Sequence, residues 1–210
     1  IGQSTVAGGA IFTEIFHIGS RGCVAVTADQ RPIPNFMPVV ILGEFFAQHL
    51  AGSDHVLIEA QGEEVIKMDD EVDRFSLYMM RNLNLALENV QVLLDSGLKK
   101  PSECLGYRTV VKCVERIADH GALIAKKIKY IESPIDKKIL KNIEIISDES
   151  LTVFENSITA LSKRDYDMAE KVASNVFKVI EDEKKQMDSL KPNINTGILK
   201  LILEDIRRTA

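Results

Sequence analysis

Residues 107–131 read YRTVVKCVERIADHGALIAKKIKYI and decide the fold. Val110, Val114, Ile117, Gly121, Ile124, Ile128 and Ile131 step by four and three, the spacing of one amphipathic helix with a bundle-packing seam. Beside the seam stand Glu115 and Asp119, four residues apart and therefore on one face. Two ionised carboxylates stacked in this way repel by a few tenths of a kcal/mol, about 0.2–0.5. A second such pair, Asp69 and Asp73, lies in the preceding helical stretch, inside MDDEVDRF.

Outward from that helix the same periodicity continues in both directions. Residues 36–50, FMPVVILGEFFAQHL, suit a short buried helix, and Ala51-Gly52-Ser53-Asp54 breaks it. Asp54 to about Leu94 holds one long helix or two collinear ones, with Gly62 as its one strong breaker and Gly97 as its C-cap. Pro101 and Ser102 lead into the central helix, which Ser133-Pro134 ends near Glu132. Helices are expected again over Lys137–Ser162, Met168–Leu190 and Ile198–Ala210. Short, long and long helices thus occur twice, and short connectors favour antiparallel neighbours. The fold class expected is mainly α: two tandem three-helix units, residues 36–133 and 134–210, forming a double bundle.

Residues 1–35 differ. AIFTEIFHI and CVAVTA are β-type runs separated by Gly19-Ser20-Arg21-Gly22, a hairpin signal, and Pro32 and Pro34 then stiffen the connector. The chain starts on a residue other than Met and ends in EDIRRTA, as though in mid-helix, so the expectation is that both ends continue.

Composition narrows the function. Of 210 residues 45% are hydrophobic, enough for a sizeable core, and the formal net charge of −5 argues against general electrostatic nucleic-acid binding. Cys23, Cys104 and Cys113 are odd in number and show no Cys-x-x-Cys spacing, which fits a reducing cytoplasm and argues against a disulfide scaffold or zinc knuckle. Cys104 and Cys113 read as core residues, as do Tyr78, Met79, Met80, Tyr107 and Phe154. No apolar run reaches membrane-span length. No phosphate-binding glycine loop is present, and the helical stretches from Phe36 onward carry no Glu-x-x-His di-iron pattern.

EVDRF, followed by a long helix and VERIADHGALIA, resembles the PhoU family of phosphate-uptake regulators, in its archaeal form. The resemblance runs from about Phe36 to the C-terminus and is more specific in the first unit. It implies a double three-helix bundle with metal ions at its acidic motifs, regulating phosphate transport or signalling through protein partners, and not an enzyme. On the matching residues it makes Asp69, Asp73, Glu115 and Asp119 the metal ligands. All-oxygen ligation suits Mg, Mn, Ca or Fe. The bland alternative is an acidic face neutralised by Arg74, Arg81 and Arg116, with Asp70–Arg74 as one i, i+4 pair. Homo-oligomerisation and a cytoplasmic location, without membrane insertion, complete the expectation. Some archaeal relatives carry an AbrB-like β-rich DNA-binding module ahead of the helices, so DNA enters only through residues 1–35. That leaves two competing classes, a DNA-binding regulator with a helical sensor and a metal-dependent enzyme on a bundle.

The second unit departs from the pattern. Laid on the first by its acidic cluster, it places Glu181 at Asp69 and Lys185 at Asp73, and Glu204 faces Arg208 at the same step. Each is then an acid–base pair that satisfies itself. A shifted register would instead set Arg207-Arg208-Thr209-Ala210 on Glu115-Arg116-Ile117-Ala118. His120 reads as a satisfied structural histidine. The lysines at 126, 127, 129, 137, 138 and 141 read as a solvated end or a dock for an acidic partner.

Overall fold

The computed structural model describes residues 55–210, and the backbone of 17–19 and 22–24. These two short strands, β1 (His17–Gly19) and β2 (Gly22–Val24), pair antiparallel with Ile18 opposite Cys23. The remainder of the expected β region, its AbrB-like character and the helix expected at 36–50 lie outside the described residues.

Six helices follow: α1 (His55–Glu88), α2 (Val90–Asp95), α3 (Glu103–Ile128), α4 (Lys137–Lys163), α5 (Tyr166–Ser189) and α6 (Thr196–Thr209). Helix α1 runs straight through Gly62, where an added Cβ would meet only the Ala125 carbonyl oxygen, at 3.7 Å. The break falls instead at Asn89, which is extended and whose Oδ1 accepts from the N–H groups of Gln91 and Val92 at 2.9 and 3.3 Å. An asparagine can satisfy two of the orphan donors of a new helix, and this is why it competes with continuation. At the other end of α2, Gly97 sits at φ 73° and Leu98 N–H closes back on Leu93 at 3.1 Å, the cap expected there.

Helix α3 stops at Ile128, four residues before the expected end. Asn195 accounts for this. Its Oδ1 accepts from Glu132 N–H at 3.1 Å and its Nδ2 donates to the Ser133 carbonyl at 2.7 Å, so backbone groups of this segment bond to Asn195 instead. Between α4 and α5 the chain turns at Arg164, left-handed at φ 54°, and Asp165 caps α5 by accepting from Met168 N–H at 2.9 Å.

The chain divides into two compact sets. One contains Glu71–Glu115; the other contains Arg116–Ala210 with the described part of Met37–Asp70. The first has its own core of Met79, Leu83, Ala86, Leu93, Leu98, Cys104 and Val111. In the second, α4 packs on α5 and α6, and α5 on α6, which makes residues 137–209 a three-helix unit. Its core holds Ile124, Ile143, Val179, Leu199, Ile202, Leu203 and Ile206, each 1% exposed or less. Burial along α3 covers Val114, Gly121, Ile124 and Ile128 of the expected seam, with Val111, Ala118, Ala122 and Ala125 beside them. Small residues there let a neighbouring helix approach closely.

Two core assignments are corrected. Cys104 is buried, but Cys113 is exposed, and Tyr78 is 55% exposed. Each lies one residue before a buried position, Val114 and Met79, and so turns off the packed face. Burial pushes the Cys104 thiol above its ordinary range. Among the described residues no helix is long and apolar enough to cross a membrane.

Candidate functional site

The two acidic pairs stand where helical spacing puts them, Asp69 and Asp73 on α1, Glu115 and Asp119 on α3. Their surroundings differ. Asp73 is exposed, whereas Asp69, Glu115 and Asp119 are half-buried, and Asp69 keeps its Oδ1 out of solvent. Glu115 is held by Lys112 Nζ at 2.6 Å, one turn earlier. Arg74 pairs with Glu71 at 2.5 Å, so the expected pairing with Asp70 is replaced by the i, i+3 partner. Asp73 and Glu115 belong to one compact set, Asp69 and Asp119 to the other.

Carboxylate oxygens are the donor type for a hard cation such as Mg, Mn or Ca. Among the described residues, however, no three His, Cys, Asp or Glu side chains converge enough to hold a metal ion. The donor chemistry of the four carboxylates fits such an ion.

Glu181 and Glu204 of the second half stand in self-satisfied pairs, as their sequence spacing indicated. Lys185 Nζ lies 2.9 Å from Glu181 and 3.3 Å from Asp182, and Arg208 lies 2.5 Å from Glu204. The hydrogen bond and charge of Arg208 hold the Glu204 carboxyl below its usual range, and the hydrogen bond that Lys185 donates to Glu181 leads in holding the Lys185 ammonium above its own.

The most buried charged cluster was not expected. Asp205 on α6 is 5% exposed and accepts from His120 Nδ1 at 3.1 Å and from Lys127 Nζ. His120 was read correctly as satisfied, but the spacing gave no partner, because Asp205 is 85 residues away. Lys127, read as part of a solvated lysine end, is committed to this carboxylate. Two residues on, Arg207 reaches the buried Glu183 of α5 at 3.3 Å. These contacts tie α3, α5 and α6 together within one compact set.

A cleft of about 780 Å³ lies in the same set, between the start of α4, the end of α5 and residues 191–193. Gln186 on its wall is 5% exposed and accepts from Asn142 Nδ2 at 2.9 Å, while its own Nε2 has no hydrogen-bond partner. A buried donor left without an acceptor costs about 1–3 kcal/mol.

Asp148 on α4 supplies a pH-dependent term. Desolvation first, then repulsion from Glu144 one turn earlier, raises its carboxyl above 3.8. The fold therefore disfavours the ionised form: the charge costs stability at neutral pH, and the cost disappears as pH falls through the raised value towards 3.8. Asp148→Asn is expected to raise the melting temperature by about 1 °C at pH 7, as for one like-charge helical pair. The difference should close in acid; a variant that melts lower at pH 7 would contradict this sign.

Compared with known proteins, the family model of the PhoU domain matches residues 54–128, covering α1 to α3 and both acidic pairs. No curated protein and no solved structure matches the chain.

Proposed function

We propose that this chain, whose residues 54–128 match the PhoU domain model, is a regulatory adaptor of phosphate uptake, acting through protein partners in transport or signalling. The observation that supports this reading is the family match itself, which takes in both carboxylate pairs. The family is regulatory and non-enzymatic. Residues 134–210 lie beyond the match, and we propose that they form the second, divergent unit of a tandem repeat with 36–133. Their three packed helices and the Glu181–Lys185 and Glu204–Arg208 pairs in place of paired acids support it.

We further propose Asp69, Asp73, Glu115 and Asp119 as cation ligands, used as helical pairs. Two oxygens four residues apart on one helix, with water completing the shell, suit an ion that keeps several waters. A bound cation would also remove the like-charge repulsion within each pair. Helix α1 or α3 alone can supply such a pair, so three converging side chains are not required.

The regulatory reading is tested by deleting the gene and measuring phosphate uptake in phosphate-replete cells. Uptake should rise; unchanged uptake and unchanged transporter expression would refute it. The cation reading is tested by melting the protein with and without MgCl2 or MnCl2. At 100 times Kd a single site adds about 2.7 kcal/mol, or roughly 5–10 °C for a chain of this size. Asp73→Asn/Asp119→Asn should abolish the shift, and Glu181→Gln/Glu204→Gln should keep it. The reverse pattern, or no shift in wild type, would sink the assignment.

A further inference from the structure

We infer that the cleft between the start of α4 and the end of α5 binds a ligand carrying a multiply charged oxyanion. Three lysines stand on its wall, Lys138, Lys185 and Lys191, against two carboxylates, Asp136 and Asp182. Its lining is thus net positive on a chain whose formal net charge is −5. Lys185 is already bound by Glu181 and Asp182. Lys138 and Lys191 are exposed and form no ion pair among the described residues, so their charge is available to a ligand.

The independent sign of a ligand is Gln186. A side chain 95% buried normally has all its polar atoms satisfied. Here the Oε1 is satisfied by Asn142, also on the cleft wall, and the Nε2 is not. What the Nε2 lacks is an acceptor, which an oxyanion supplies and a cation does not. The atom is closed to solvent, so the carboxamide must turn for an incoming oxygen to reach it. The terminal torsion of glutamine is broad and permits this. Ile139 and Ile146 add an apolar wall, and about 780 Å³ exceeds what a lone tetrahedral anion fills. The ligand is therefore either a free oxyanion or one borne on a larger body, and these differ only in what occupies the apolar side.

The cleft lies apart in sequence from the acidic pairs and would bind the opposite charge, so the anion and cation titrations fail separately. Full-length protein is titrated calorimetrically with inorganic phosphate and, in parallel, with ADP without added metal, at about 50 mM NaCl. Saturable binding of either one is expected. Lys138→Glu/Lys191→Glu should weaken it at least tenfold while leaving the melting temperature unchanged, since both residues are exposed. Gln186→Met should weaken it too, and Lys99→Glu/Lys100→Glu, outside the cleft, should not. Binding of phosphate as well as ADP identifies the free anion as sufficient; binding of ADP alone identifies a ligand with a body against Ile139 and Ile146. No saturation by either up to about 10 mM, well above the millimolar class of affinity, overturns the inference. So does binding that the Lys138/Lys191 variant retains in full.

Discussion

Asp205→Ala should lower the stability of this protein by about 3 kcal/mol, the low end of what breaking a buried ion pair costs. The residue is 5% exposed, and its removal strands Lys127 and His120, 21% and 13% exposed, without their carboxylate. The loss comes from those two groups more than from the missing attraction. For a chain of 150–250 residues it corresponds to roughly 6–12 °C in melting temperature. Asp205→Asn should cost less, because an amide oxygen still accepts from His120. Adding Lys127→Met to Asp205→Ala should recover part of the loss, since the second change removes the stranded charge. Chemical denaturation of the wild type, Asp205→Ala, Lys127→Met and the double variant gives the coupling directly. Simple additivity, or a loss below about 1 kcal/mol for Asp205→Ala, would show that the cluster does not hold α3 to α6.

Ile202→Ala is expected to cost about 3–4 kcal/mol, within the range for large-to-small changes in a close-packed core. Ile202 is fully buried, and it lies in a cluster with Leu199, Leu203 and Ile206 of its own helix and Ile143 and Val179 of the two helices packed on it. Collapse around the cavity is hindered because α6 is also fixed at Asp205 and through Arg207 to Glu183. Ile202→Val should cost only about 0.5–1.5 kcal/mol. Phe177→Ala, at a position 73% exposed, should change stability by less than about 0.5 kcal/mol despite removing a larger side chain. Urea unfolding of the three variants orders them; a loss at Phe177 equal to that at Ile202 would mean that α5 buries its outer face in solution.

Local patterns fixed much of this architecture. Apolar steps of three and four placed α3 to α6 to within a few residues, and Gly97 ended α2 where a left-handed cap was expected. The pairs Glu181–Lys185 and Glu204–Arg208 were also legible, since a four-residue helical step brings such side chains together whatever surrounds them. Asn89 was a missed local signal: its capping preference was in the sequence, and Gly62 drew attention instead because glycine is the poorer helix former.

Other features belonged to the tertiary structure alone. Whether Cys113 and Tyr78 are buried depends on which face of a helix meets a neighbour, and a seam of small residues such as Ala118, Ala122 and Ala125 carries a weak hydrophobic signal. The end of α3 is set by Asn195, 62 residues beyond Ser133, and the partner of His120 is 85 residues beyond it. Sequence by itself determined the helices, their order and the acidic pairs, because helix geometry relates residues three and four apart without reference to anything else. Only the packed chain decided that Asp205 is a buried charge, that Lys127 serves it, and that Gln186 keeps an amide donor without an acceptor, because each rests on which distant side chain fills the adjoining space.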